Sequence, residues 1–277
     1  MLRTARSLVI SLGFILAATL TSHGSEAPRA ALERVIEAYA SRTQLTSELP
    51  AFDLQTMVEI QDYLALDIGR DYGLVSGYLF DRATQPLLIG LLLENMFSST
   101  GATLQASAGA NQVVFLAWAV RINRDLTYPQ SEGLSLEAVV AELIPAVVFL
   151  DELLPAAQRT QAAALTAVNL GLRYVVLGQP ITGVDWSAAG GFHSEILGPK
   201  DAVLSEGVGL PGASSDAGAL VRLAAEHLHN RGRSLREGDV VVLGRLGEGA
   251  LLNEARKVTA RFQAGRDERR IVFAVRP

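Results

Sequence analysis

Apolar positions along the chain follow two rhythms, one helical and one strand-like, and their order sets out most of the elements. Leu32, Val35, Ile36 and Tyr39 recur at helical spacing and predict a short amphipathic helix. Asp53 is placed to cap a second helix, with Leu54, Met57, Val58 and Leu64 on one face and Gly69 as its stop. The stretch from Val75 to Phe97 is rich in Gly and Leu and has no clear periodicity. From Val113 to Ile122 the run VVFLAWAVRI is almost wholly apolar, as a strand buried on both faces requires. Leu136 to Leu143 predicts a helix begun by Ser135 and ended by Pro145, after which AVVFL leads into Asp151 as another buried strand. A helix ending near Val168 runs into the strand RYVVLG, closed by Gly178. The helix from Asp216 to Asn230 has an apolar face of Ala217, Leu220, Val221, Ala224, Ala225 and Leu228, with Gly232 as a left-handed stop. Three strand-like runs follow: VVVLG from Val240, VTARF from Val258 and IVFAV from Ile271. Strands with intercalated helices in the second half predict an α+β domain, and no repeat, low-complexity tract or linker divides it.

The N-terminus has a pattern of its own. Arg3 and Arg6 precede an apolar stretch from Leu8 to Leu20, broken only by Ser11, Gly13 and Thr19, and a polar, small-residue stretch runs from Thr21 to Ala27. This order reads as a secretory signal peptide. The apolar run is shorter than the roughly 20 residues that span a bilayer. The alternative is a buried N-terminal helix or an uncleaved anchor, and cleavage after Gly24 and after Ala27 are both compatible with the residues. The expected organisation is a signal over 1–27 and a single domain over 28–277. Within that domain, 28–110 is helical and glycine-rich and 111–277 is the β-rich core. The mature protein is expected to be periplasmic or secreted, without a stable membrane span.

Composition narrows the chemistry. At 277 residues, 49% hydrophobic and 19% charged, the chain can bury a substantial core. A net charge of -5 with interspersed signs offers no basic face to a phosphate backbone, which argues against nucleic acid as a partner. The absence of cysteine excludes disulfides, thiolate metal sites, cysteine nucleophiles and a lipid attachment point.

Few motifs stand above their ordinary readings. Gly207-Val-Gly209-Leu-Pro-Gly212 matches a dinucleotide fingerprint literally. Pro211, however, removes an amide that a phosphate needs, and the acidic residue about 20 positions later is missing, so a glycine-rich turn fits better. His227 and His229 are two apart on a helix, not four, and read as solvent-facing. His193 stands beside Ser194, but no Gly-x-Ser-x-Gly elbow occurs. Asp151 and Glu152 follow a buried strand, where functional carboxylates emerge, but a solvated turn or a helix cap is the better reading of them. Asn169 opens an apolar run into a strand, either as a buried functional amide or as a partner for loop backbone.

The order of several segments resembles the 2-hydroxypenta-2,4-dienoate hydratase and 4-oxalocrotonate decarboxylase family, within the fumarylacetoacetate hydrolase-like superfamily. The residues that carry it are Leu143-Ile-Pro-Ala146 before a strand ending in Asp151, and Asn169 followed by Tyr174-Val-Val-Leu-Gly178. Gly77-Tyr78 with Pro86 and Leu91 to Phe97, and Gly238-Asp239-Val-Val-Val-Leu-Gly244 before two strands, complete it. It covers roughly Leu49 to the C-terminus. The resemblance implies a mixed β-sandwich roll with flanking helices, chemistry on small 2-oxo acids or their enols, a divalent cation, and homo-oligomers. The family's cation is held by a Glu-x-Glu on the first buried strand and by a Glu after Pro-Ala-Leu. The corresponding positions here are Phe115, Ala117 and Val148, and the family's lysine falls at Leu79. No Glu-x-Glu occurs at any position, and Glu237-x-Asp239 belongs to a turn. Metal and cofactor are therefore both expected to be none.

Two readings follow. One is a small-acid-binding or structural module without the metal chemistry, its partner a small carboxylic or oxo acid. The other is a hydro-lyase or decarboxylase with a rebuilt, metal-independent site. Pocket candidates are Gly77, Tyr78, Asp151, Asn169 and Gly178, and Arg82 and Arg173 are the nearest cations, both read as surface charges. A two-lobed solute-binding protein fits export but not the single-domain layout.

Overall fold

The run from Val113 to Ile122 forms a strand buried on both faces because it has something apolar to meet on each side. The structure is a computed structural model that describes residues 26–81, 87–105, 107, 109–128, 134–210, 217–251 and 256–276. Its helices are α1 (Glu26–Ser41), α2 (Leu54–Tyr72), α3 (Leu136–Val139), α4 (Ala162–Ala167) and α5 (Ala217–His229). Its strands are β1 (Val75–Asp81), β2 (Leu88–Leu93), β3 (Phe97–Ser99), β4 (Thr103–Gln105), β5 (Gln112–Ile122), β6 (Val140–Asp151) and β7 (Leu172–Leu177). They continue with β8 (His193–Leu197), β9 (Val203–Val208), β10 (Val240–Val242), β11 (Leu246–Leu251), β12 (Arg256–Ala264) and β13 (Asp267–Arg276).

These strands make two mixed sheets. The larger has eight strands in the order β2-β1-β10-β5-β6-β7-β3, with β11 also pairing β5; the smaller has five, β4-β13-β12-β8-β9. Along β5, Val114, Leu116, Trp118 and Val120 face the smaller sheet and join Ile196, Phe262, Ile271 and Phe273 in one core. Edge-to-face ring pairs tie the two sheets together, Trp118 to Phe262 at 5.1 Å and Phe149 to Phe273 at 5.2 Å between centroids. Ala117 and Ala119 point the other way, into a second core with Val35 and Tyr39 of α1, Met57 and Leu64 of α2 and Ala164 of α4. The fold is thus a fumarylacetoacetate hydrolase-like β-sandwich roll with helices on its outer side, as the resemblance implies. Among the described residues, no helix is long and apolar enough to cross a membrane.

Three expectations are corrected. The helix over Leu136 to Leu143 shrinks to Leu136–Val139, and Val140–Asp151 is one strand running through Pro145. The N–H and C=O of one residue in an antiparallel ladder face the same neighbour. The Pro145 carbonyl accepts from the Gly178 N–H at 2.9 Å, just past the last β6–β7 pair, Ala146 with Leu177. The missing N–H therefore falls beyond the end of β7 and the β5–β6 ladder is intact. Gly69 is not the stop of α2; Gly73 is, at φ 82°, its N–H bonded to the Gly69 carbonyl at 3.0 Å. The aperiodic stretch after Val75 is two paired strands, β1 and β2, with β2 buried at every residue, and full burial removes the alternation that marks a strand.

The Asp53 cap is as expected: its Oδ1 accepts from the Thr56 N–H at 2.8 Å, and that bond holds its carboxyl below the usual range. A carboxylate with a depressed folded pKa adds stability above its unfolded pKa and loses it as pH falls through the folded value. Asp53→Ala should therefore lower the urea midpoint at pH 7, with the gap to wild type closing in acid. A gap that persists unchanged at low pH would rule out the charged cap. Of the segment 1–27, expected to be a signal, all but Glu26 and Ala27 lies outside the described residues; these two begin α1.

Candidate functional site

The β5–β6 register brings together the three positions at which the resemblance expects acidic ligands. Phe115 pairs with Val148 and Ala117 with Ala146, so Phe115, Ala117 and Val148 share one face of adjacent strands. Leu79 reaches the same face through β10, since Leu79 pairs with Val242 and Val242 with Ala119. Leu79, Ala117 and Val148 are completely buried in the helix-side core. The half-buried Phe115 ring lies under the Arg245 guanidinium, 4.9 Å from its centroid, and Arg245 is ion-paired with the buried Asp81. Gly249 leaves room for this ring: a Cβ there would stand 2.6 Å from Phe115 Cζ and 2.3 Å from Val113 Cγ1. None of the three positions offers an oxygen, so this face does not fit a hard divalent cation. Among the described residues, no group of three or more His, Asp or Glu side chains gathers anywhere.

Beside Phe115 a pocket of about 80 Å³ remains, its wall including Val113, Leu150, Asp151, Arg159 and Arg245. Asp151 does not act as a free carboxylate there. It accepts from the Asn111 N–H at 2.9 Å and from Arg173 Nε and Nη2 at 3.2 and 2.8 Å. Arg173 Nη1 donates to the Tyr39 carbonyl at 2.8 Å, and its Cζ lies 3.7 Å above the Tyr39 ring. The Tyr39 hydroxyl donates to the Leu172 carbonyl at 2.8 Å, and burial drives its pKa up, partly offset by Arg173. Asp151 is thus neither a solvated turn nor a helix cap, and Arg173 is not a surface charge. The two neutralise each other where a lone charge would be prohibitive. Glu152 is paired with Arg159, whose Nε also donates to the Leu154 carbonyl at 3.2 Å. Arg82 lies outside the described residues.

Asn169 serves backbone. Its Oδ1 accepts from the Leu91 N–H at 2.7 Å and from Gln61 Nε2 at 2.9 Å, and its Nδ2 donates to the Leu91 carbonyl at 2.9 Å. It opens a left-handed turn, with Asn169, Leu170 and Gly171 at φ 51°, 56° and 70°. Gly171 is obligatory, because a Cβ would sit 2.1 Å from the Asp151 carbonyl oxygen. Gln61, fully buried on α2, carries the network outward: its Nε2 also donates to the Ile89 carbonyl at 2.7 Å, and its Oε1 accepts from Arg231 at 2.8 Å. The sequence analysis missed Gln61, although a signal was there: a polar residue in the apolar stripe between Met57 and Leu64.

The remaining candidates do not join this pocket. Tyr78 alternates with Leu79 and faces the smaller sheet. Burial and then Asp239 push its hydroxyl pKa up, while Arg233 pulls it down. Gly77 permits close approach of β1 and β10, since a Cβ would lie 2.4 Å from the Val240 carbonyl oxygen. Gly178 faces Ile271 of β13, 3.0 Å from an added Cβ to Cγ1. Of the glycine-rich motif, Gly207 and Val208 end β9 and Gly209 turns at φ 77°; Pro211 and Gly212 lie outside the described residues. His229 is exposed and packs on Tyr128, while His227 is half-buried. Asp239 closes a turn by accepting from the Arg236 N–H at 2.8 Å, and the Glu237 N–H donates to Asp125 at 2.9 Å.

No family model and no curated protein matches the sequence. Solved structures do match its shape. 4-Oxalocrotonate decarboxylase from Pseudomonas putida G7, complexed with magnesium and adipate, aligns at TM-score 0.76 and 14% identity over 92% of this chain and 99% of that one. The same enzyme complexed with calcium and acetate aligns at 0.75 over the same shares. 5-Carboxymethyl-2-hydroxymuconate delta-isomerase from Mycobacterium smegmatis aligns at 0.51 and 14% identity over 73% of this chain and 80% of that one. With apolar side chains on its β5–β6 face and a small, mostly aliphatic pocket beside them, the chain has the fumarylacetoacetate hydrolase-like fold that 4-oxalocrotonate decarboxylase also has.

Proposed function

We propose that this protein is an exported small-acid-binding module on a hydratase-type fold, without the fold relatives' metal-dependent chemistry. The observation that carries the reading is the set Phe115, Ala117 and Val148, side by side on paired strands and without a donor atom. Removing all the ligands together avoids leaving an unpaired buried carboxylate, which would cost several kcal/mol. What remains open beside them is a mostly aliphatic pocket with Arg159 and Arg245 in its wall. The decarboxylase of similar shape is complexed with adipate and with acetate, so carboxylates are the ligand class to try first.

The second reading, a hydro-lyase or decarboxylase with a metal-independent site, draws on the same neighbours, a 4-oxalocrotonate decarboxylase and a 5-carboxymethyl-2-hydroxymuconate delta-isomerase. An enolate formed without a metal needs another cation close by, and the arginines in the pocket wall keep this reading open.

The mature protein, purified without chelator, should contain no stoichiometric magnesium or manganese by plasma mass spectrometry. It should also gain thermal stability from millimolar pyruvate in the presence of EDTA. Stoichiometric metal would overturn the metal-free reading; turnover of 2-hydroxypentadienoate in EDTA would replace binding by catalysis. Full-length protein with its N-terminal segment intact in the cytosolic fraction would overturn export.

A further inference from the structure

We infer that the Arg245 guanidinium stands in for a divalent cation on the β5–β6 face and holds the carboxylate of a small organic acid in the pocket beside Phe115. The inference rests on the small-acid reading above and names the group that would carry it.

The backbone places Arg245 where it is. On one edge of β5, β10 pairs through Val242 with Ala119 and β11 through Leu246 with Leu116. The chain passes from one to the other at Gly244, whose φ of 106° suits glycine alone, and Arg245 lies at the crossing. From there its side chain covers the Phe115 ring and pairs with Asp81 at the end of β1. The ring and the carboxylate fix the guanidinium plane before any ligand arrives, which lowers the ordering cost of binding.

The side chain is 24% exposed, and Arg245 lines the pocket with Phe115. Its Nε is buried without a hydrogen-bond partner among the described residues, so the ligand carboxylate would meet an Nη. The other charged groups of the pocket are engaged. Asp151 is held by Arg173, and Arg159 by Glu152 and the Leu154 carbonyl. Val113, Phe115 and Leu150 keep the local dielectric low, so a guanidinium there attracts a carboxylate more strongly than one in water. The pocket volume of about 80 Å³ exceeds the roughly 10–15 Å³ that one water needs by the same measure. A short acid is therefore the suitable size.

The charge balance also explains why the acidic positions could be lost together. A divalent cation requires carboxylates around it, whereas a guanidinium is always charged and needs only one counter-ion, here Asp81. Once the cation is covalently part of the chain, acidic groups at Phe115, Ala117 and Val148 would compete with the ligand for it.

The test is isothermal titration of pyruvate into the mature protein with EDTA present. Wild type should bind, with an affinity unchanged by replacing EDTA with magnesium. Arg245→Gln should weaken binding about tenfold or more, the loss of one charge-assisted contact. Because Arg245→Gln takes the guanidinium away from the buried Asp81, the double variant Asp81→Leu/Arg245→Met removes the pair as a unit and should lose binding to the same extent. Asp81→Asn frees the guanidinium and should bind at least as tightly as wild type. Folded Arg245 variants with wild-type affinity would overturn the role of Arg245 while leaving the small-acid reading standing. Binding that requires magnesium would overturn the substitution of the cation. If wild type fails to bind pyruvate at all, the small-acid reading falls and this inference with it.

Discussion

Arg173→Met should cost about 3–5 kcal/mol of unfolding free energy, the loss expected when one partner of a buried ion pair is removed and the other stays. Arg173 and Asp151 have side-chain exposures of 2% and 0%, so water cannot replace the missing partner. The change removes both guanidinium bonds to Asp151, the bond to the Tyr39 carbonyl and the stacking on the Tyr39 ring. Among the described residues, it leaves Asp151 the Asn111 N–H as its hydrogen-bond partner. Asp151→Leu should be of similar severity, because it strands the guanidinium instead. The double variant Asp151→Leu/Arg173→Met should recover most of the loss, since burying two apolar groups carries no desolvation penalty. Urea denaturation of the four proteins in a cycle measures the coupling. If Arg173→Met cost less than about 1 kcal/mol, or the cycle were additive, the pair would not be acting as a unit. Arg173→Lys is the finer probe: it keeps the charge but loses the planar fork, and should fall between wild type and Arg173→Met.

This pair also shows where the sequence stops being legible. Arg173 opens a strand-like run and looks like any polar residue at a strand end. Only the fold, by setting α1 against β7, puts Tyr39 over its guanidinium and Asp151 beside it across more than twenty positions of sequence. By contrast, β5 was readable as a strand buried on both faces from its composition alone, because nothing but two-sided burial tolerates VVFLAWAV in a soluble chain. That Phe115, Ala117 and Val148 are neighbours is a matter of register, since Phe115 pairs with Val148 and Ala117 with Ala146. The α3–β6 boundary failed for a definite reason. Pro145 is a helix stop by local chemistry, yet its ring is equally at home at a strand position whose N–H has no partner. Strands β8, β9 and β11 gave no warning because they are short and carry Ser, Glu or Gly among their apolar residues. Their places come from their partners, β12 for β8, β8 for β9 and β5 for β11, not from their own patterns. The pocket was not legible at all, since Arg245 reaches Phe115 only by way of the crossing from β10 to β11.

The second large effect is expected at Asn169, where two substitutions separate the loss of its hydrogen bonds from the introduction of a charge. Asn169→Ala removes three hydrogen bonds in a fully buried place and leaves both the N–H and the carbonyl of Leu91 without that partner. At ~1–3 kcal/mol for each stranded group, a loss of about 3–5 kcal/mol is expected. The left-handed backbone at φ 51° adds to it, because asparagine tolerates that conformation better than alanine does. Asn169→Asp changes only the donor. As a carboxylate it still accepts from Leu91 N–H and Gln61 Nε2, but it presents an oxygen to the Leu91 carbonyl, where Nδ2 had given a proton. Protonation restores that bond, and burial also favours the neutral acid, so the folded-state pKa should rise above the unfolded value of about 3.9. A raised folded pKa means that the native state holds the extra proton, and stability then falls as pH rises between the two values. Relative to wild type at each pH, Asn169→Asp should therefore be mildly destabilised below about pH 4. It should lose roughly 1.4 kcal/mol per pH unit above that until the folded pKa is passed, then level off. A deficit that stays constant from pH 4 to pH 8 would mean that Nδ2 and the Leu91 carbonyl are not bonded. In that case the side chain of Asn169 would be held through its Oδ1 alone, by the Leu91 N–H and Gln61 Nε2.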